Sequence, residues 1–312
     1  RGCMKKLEEK IILSSSEVAV VFQLQRVVFN MRILLSIIFV ITTSLISVDQ
    51  VEAACAADGS GVITVTDNSC SVQPDSYGIT MYKMYFCTSA PTAATTGAVA
   101  DISSCVLVFD AGTTGSRVDM TGTGDAGAFG GATFYRPEPN TYTHGYMLID
   151  NVFYVKYAAK FNETKEGSKT GADSGVFCGT LAGTGNESTG QSTTCGATAI
   201  TAGEWGAQLT SFNGSASCLA IVTASNLNNT GADITGVLET SAGVRTSDCS
   251  DVDKLGGIQT FATPVVITKN LKTIDVAFGI SEGMTIFENG ATPPIINMGS
   301  GPFQAVITVV NY

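Results

Sequence analysis

Eight cysteines stand between residues 55 and 249, and no two of them form a Cys-x-x-Cys pair. That spacing argues against zinc, whose structural sites draw on closely spaced Cys and His ligands, and the chain has a single histidine, His144. An even set of well-separated cysteines behind an export leader points instead to disulfides formed in an oxidising compartment. The eight are Cys55, Cys70, Cys87, Cys105, Cys178, Cys195, Cys218 and Cys249; the ninth, Cys3, precedes the leader. Eight cysteines allow on the order of 100 pairings, so spacing alone does not dictate connectivity. The expectation taken here is sequential pairing, 55–70, 87–105, 178–195 and 218–249, each loop restricting the unfolded chain by about 3 kcal/mol.

The leader reads from Met31. Arg32 gives a basic start, Ile33 to Val48 carries no charge, and Val51 and Ala53 are small residues at −3 and −1 of a cut before Ala54. Those are the three parts of a secretory signal peptide, so 31–53 is expected to be one. The apolar run is short of the ~20 residues that span a bilayer. An uncleaved anchor is the alternative; a lipoprotein signal at Cys55 is disfavoured because Glu52 sits where an aliphatic residue belongs. Residues 1–30 read as an upstream extension, outside the folded part.

Net charge is −10, with Asp and Glu outnumbering Lys and Arg 27 to 17. An acidic surface repels phosphate backbones, which excludes nucleic acid as the expected partner. Membrane contact is expected only through the leader. Only 14% of residues are charged, 34 are glycine, and no segment carries a convincing 3.6-residue apolar period. Short β-rich runs recur instead: Val62–Thr66, Ile79–Phe86, Cys105–Phe109, Tyr146–Ile149 and Val152–Tyr157. The last two flank Asp150-Asn151, which reads as a tight hairpin turn. Later runs are Val265–Thr268, Thr273–Ile280, Met284–Phe287 and Phe303–Val310. The expected fold is an all-β sandwich, begun by 54–161 and completed by 261–312. The Gly-, Ser- and Thr-rich stretch 162–260 is expected as a disulfide-stapled insertion or second subdomain, with short helical turns at 204–209 and 234–240. Pro137-Glu138-Pro139-Asn140-Thr141-Tyr142-Thr143 is similar to the turn-then-tyrosine entry of immunoglobulin-like and transthyretin-like sandwiches. There the ring packs at a corner and the hydroxyl bonds to backbone.

Few segments carry recognisable chemistry. Asp110-Ala111-Gly112-Thr113-Thr114-Gly115-Ser116-Arg117 follows an apolar run and resembles the first phosphate-binding motif of the apyrase family. The resemblance implies backbone N–H groups presented to phosphate and an extracellular nucleotidase. The family's second phosphate loop and catalytic glutamate are not found after residue 120, and a plain turn between strands is the competing reading. His144 lacks a nearby nucleophile motif, so no catalytic residue is assigned. Asp248, Asp251 and Asp253 crowd three carboxylates into six residues, a weak Ca²⁺ candidate without EF-hand spacing. No other cofactor is expected. Trp205, the only tryptophan, could stack on a sugar or fill a small core. Asn162, Asn186, Asn213 and Asn228 head glycosylation sequons.

The C-terminus suggests assembly. Gly299 precedes an alternating run, Phe303, Ala305, Ile307 and Val309, and Tyr312 is the last residue given. The pattern is similar to the terminal strand of chaperone–usher pilins. That resemblance implies strand addition between subunits, with Gly61–Thr66 as a candidate N-terminal arm. Three classes of function follow: an exported, bacterial cell-surface structural or adhesive subunit whose partners are other subunits or surface components; a glycan- or Ca²⁺-binding module; and a nucleotidase using 110–117.

Overall fold

Ser76–Cys87 alternates aromatic, β-branched and long apolar residues, and it forms a twelve-residue strand at the centre of the molecule. Tyr77, Ile79 and Met81 are buried in its first half, and Met84 and Phe86 in its second. The inward set changes from odd to even positions because the register slips at Met81/Lys83 and at Met84/Tyr85. One extra residue re-phases the pleat, so both halves still face the same core.

The computed structural model describes residues 53–312 apart from 66–67, 122–124, 127–128, 172, 187–189, 213–217 and 228–229. The expected extension 1–30, nearly all of the expected leader, and the sequon residues Asn213 and Asn228 lie outside the described residues. The described residues form one compact unit. The fold is all-β, about 60% strand, with no α-helix among the described residues, and its sheets are curled.

Two long runs flank the central strand. On one side Cys105–Asp110 pairs with its second half and Ser116–Thr121 with its first. On the other side Asn140–Asp150 and Val152–Lys156 do the same. Asp150-Asn151 is therefore not the hairpin turn expected from sequence. The chain runs straight on through it, and the two strands share a neighbour instead of pairing with each other. The Asp150 carboxylate accepts from Val152 N, while Asn151 Nδ2 donates to Leu209 O and Val252 O. These bonds satisfy the local break where one outer neighbour, Lys254–Ile267, gives way to Trp205–Gln208.

The larger sheet has twelve strands. From the central strand it runs through Asn140–Asp150, Lys254–Ile267 and Ala232–Glu239 to Ile221–Leu227 at its edge. An eight-stranded sheet follows the order Ala56–Ala57, Ile63–Thr64, Ala158–Gly167, Ile295–Ser300, Met284–Glu288, Ser69–Val72, with Ser174–Thr180 and Thr193–Gly196 branching from Ala158–Gly167. A separate two-stranded ribbon joins Leu271–Gly279 to Gln304–Asn311. The stretch 162–260, expected as an insertion or subdomain, contributes strands to both large sheets. Its expected helical turns are corrected to strands, Trp205–Gln208 and Ala232–Glu239. Ladder pairing outweighs weak local helix preference there, and Gly206 and Gly236 lower that preference further.

The four disulfides join Cys55–Cys70, Cys87–Cys105, Cys178–Cys195 and Cys218–Cys249, the sequential pairing. Two of them link residues directly opposite each other on neighbouring strands, Cys87 with Cys105 and Cys178 with Cys195. Tyr142 is buried, its ring 5.8 Å from that of Phe86, and its hydroxyl donates to Glu138 O at 2.7 Å. Lys165 is buried and reaches Glu163 at 2.7 Å and Glu288 at 2.6 Å, so its charge is paired where water is excluded.

Aromatic rings tie the ribbon to the central strand. Phe303 lies 5.7 Å from Tyr77, 6.3 Å from Phe153 and 5.9 Å from Phe278 between centroids. Truncation there would open a cavity shared by the ribbon and the large sheet. Phe303→Ala is expected to cost about 3–5 kcal/mol in urea unfolding. A loss under about 1 kcal/mol would mean that this ring does not anchor the ribbon.

Candidate functional site

A cleft of about 750 Å³ opens on one side of the core. Its floor is the second half of the central strand, Met81, Met84 and Phe86. One wall comes from Cys105–Asp110 through Val108 and Phe109, and the other from the ribbon through Ile274 and Val276. Phe109, Phe129 and Phe134 form a cluster of rings with centroids 4.9–6.3 Å apart. Phe134 stands 62% exposed and Tyr135 46% exposed beside the cleft. Arg136 and Lys272 add positive charge to the lining, Asp275 is its carboxylate, and Arg136 Nη2 donates to Lys269 O.

The ribbon makes this cleft unlike an ordinary apolar pocket. Leu271–Gly279 has a ladder partner on one side only, Gln304–Asn311. Among the described residues no strand pairs with its other edge. Leu271, Ile274, Val276 and Phe278 turn inward, with a register slip between Leu271 and Thr273 setting that phase. A row of backbone N–H and C=O groups thus borders an apolar trough. That is the arrangement into which an extended peptide adds as a strand, its backbone completing the ladder and its alternate side chains entering the trough.

The residues singled out in sequence fall elsewhere, with two exceptions: Phe109 and Phe303–Val309 belong to the cleft wall and to the ribbon. Asp110 to Arg117 is no hairpin. It is a five-residue detour between two strands that both pair with the central one. Asp110 Oδ1 accepts from Gly112 N, and Gly112 and Gly115 hold positive φ, the conformation glycine tolerates best. Arg117 donates to Asp119 and Glu204 and lies 3.9 Å over the Tyr154 ring. The residues of the phosphate-motif resemblance are thus engaged in their own turn and in a surface ion network.

Asp248 Oδ1 accepts from Ser250 N and caps the 3₁₀ turn Cys249–Asp251, which holds its carboxyl below the usual range, and Asp253 pairs with Lys254. Among the described residues no group of three or more His, Cys, Asp or Glu converges as a metal site. His144 is half-buried and bonds Thr143 Oγ1 through Nδ1, and burial lowers its pKa. Trp205 is buried: a Cβ on Gly185 would lie 2.7 Å from its Cζ2, so the glycine backbone lies against the ring. Ile63, in the candidate N-terminal arm, is buried and paired with Ala57 and Phe161, inside the loop closed by Cys55–Cys70.

One buried acid went unnoticed in sequence. Glu239 is 1% exposed and accepts from the Tyr146 hydroxyl at 3.2 Å. Burial pushes its carboxyl up to about 7, against the opposing pull of the Tyr146 hydrogen bond and the Lys254 charge. The same burial, with the Glu239 charge, raises the Tyr146 phenol. Nothing marks Glu239 out locally, because its burial depends on the distant Tyr146 hydroxyl and on the Gly256 backbone.

Comparison with protein-family models, with curated proteins and with solved structures finds no match to this chain.

Glu239 gives the protein a pH signature. Folded, it holds its proton to about pH 7; unfolded, it loses it near 4.5. Its favourable contribution is therefore complete below about 4.5 and is lost as pH rises through 7, a change of a few kcal/mol at most. The urea midpoint of the native protein is expected to fall between pH 5 and pH 8, and Glu239→Gln to flatten that fall. Equal slopes in the two proteins would show that Glu239 is not the group responsible.

Proposed function

We propose that this protein is an exported cell-surface structural or adhesive subunit, built on an immunoglobulin-like or transthyretin-like sandwich and joined to other subunits or surface components by β-strand pairing. The observation that carries the reading is the cleft bordered by the unpaired edge of Leu271–Gly279. An apolar trough of this size beside free backbone groups suits a strand better than a small molecule, which would leave the ladder groups unsatisfied. The four disulfides fit an oxidising compartment outside the cytoplasm and cross-link neighbouring segments of an all-β fold. The acidic balance suits a surface protein that avoids nucleic acid. Among the described residues the cleft lining is mainly apolar and aromatic, which supports a reading of contact.

The test is to purify the disulfide-bonded protein and follow its assembly by light scattering and hydrogen exchange. Species larger than the monomer are expected, with amides of 271–276 gaining protection as they form. Thr273→Pro and Ile274→Pro each remove one N–H from the strand, and one of the two lies on the open edge. That variant is expected to keep the native circular dichroism and lose assembly. Assembly undiminished in both variants would overturn the reading.

A further inference from the structure

The larger sheet also ends in an edge strand that no described strand covers. Ile221–Leu227 ends its strand order, and among the described residues it pairs only with Ala232–Glu239. Native proteins usually guard such an edge with lysine, proline or a charged inward residue. This strand reads Ile-Val-Thr-Ala-Ser-Asn-Leu, with neither charge nor proline. Leu219 and Ile221 at its start are 46% and 48% exposed. The cleft lies towards the opposite side of the same sheet, where Cys105–Asp110 and Thr133–Phe134 help to line it.

Charge distinguishes the two ends. The Cys218–Cys249 disulfide ties the start of the Ile221 strand to the turn that carries Asp248 and Asp251, both exposed. The start of the Leu271 strand lies beside Arg136, Lys269 and Lys272, all exposed, with Asp275 as the nearby carboxylate. An acidic end and a basic end, each beside an open strand, complement one another between copies.

Resting on the strand-addition reading above, we infer that the occupant of the cleft edge is the Ile221–Leu227 strand of a second copy of this chain. The acidic start of the donor strand meets the basic start of the acceptor strand, so the two strands run parallel. Leu219 and Ile221 then cover the apolar mouth near Phe134 and Tyr135. Donor and acceptor are different surfaces, so each copy offers one of each, and the contact is heterologous. Repetition gives a ring or an open filament and not a closed two-fold dimer.

A mixing experiment tests this. A donor-blocked protein carries Ile221→Lys with Thr223→Lys; an acceptor-blocked protein carries the edge-facing proline at 273 or 274. Each alone is expected to lose every species above the monomer. Mixed, they should give a one-to-one heterodimer and nothing larger, because each still offers the surface the other lacks. Raising the salt should weaken that heterodimer, since the charged ends are exposed. If the donor-blocked protein still assembles while the acceptor-blocked one does not, another segment fills the cleft; the inference fails and the strand-addition reading stands. If the native protein stays monomeric at all concentrations, or both blocked proteins assemble, both fail. If the mixture gives no heterodimer, the head-to-tail contact is wrong. Ser225→Pro and Ile274→Lys serve as replacement blocks should either first variant lose its four disulfides or its native circular dichroism.

Discussion

The Gln259 carboxamide does for Ala305 what a neighbouring strand would otherwise do. Its Nε2 donates to Ala305 O at 2.7 Å and its Oε1 accepts from Ala305 N at 2.8 Å, and the side chain is buried. The C-terminal strand is thereby fastened to Lys254–Ile267 without joining its ladder. A buried amide with both ends satisfied fixes one geometry, because any slip would strand a donor and an acceptor away from water. That geometry sets the ribbon apart from the large sheet and turns its other strand, Leu271–Gly279, towards the cleft. The unpaired edge seen among the described residues follows from how the ribbon is held.

Rings and ladders then divide the work. Tyr77, Phe153, Phe278 and Phe303 pack the ribbon on the central strand, and the contact between Phe278 and Phe129, 6.4 Å between centroids, carries the aromatic row on towards the cleft. Offset and edge-on ring contacts add about 0.5–1.5 kcal/mol each to simple burial. The disulfides act mostly away from this row. Cys87–Cys105 is the exception, since it joins the central strand to the strand that supplies Val108 and Phe109. Floor and wall are therefore covalently linked near the cleft, while the ribbon wall carries no disulfide and is held by packing, the Gln259 bonds and the hydrogen bond from Thr230 Oγ1 to Gln304. Any widening of the cleft to admit a strand would come from the ribbon side.

The sequence carried the fold class and most strand centres, because alternation and β-branching are local signals. It also carried the ribbon: Phe303, Ala305, Ile307 and Val309 alternate and face the core as their spacing suggests. It misled at Asp150-Asn151 but not at Gly112–Gly115, where the plain turn between strands is what forms; at both places turn residues mark interruptions in strands that continue along a shared neighbour. Local turn chemistry reads the same whether the chain reverses or only steps aside; the partner strand decides. The cleft itself was not legible. Its floor depends on register slips in Ser76–Cys87, its wall on a glutamine 46 residues from Ala305 in sequence, and its basic rim on Arg136 meeting Lys269. None of these is a spacing within a single window.

An open strand edge is a hazard unless something selects what may pair with it. Here the whole molecule supplies the selection. A net charge of −10 keeps copies apart in most orientations, since exposed like charges repel within about one Debye length. The exposed basic residues beside the start of Leu271–Gly279 locally reverse that sign. Approach is then favoured only where an acidic end meets that rim. The outward Lys272 and Asp275 guard the face of the strand without blocking its edge. Sparse charge over a glycine- and threonine-rich surface leaves few competing contacts, so in the proposed assembly the placement of a handful of charged residues would decide which edge meets which.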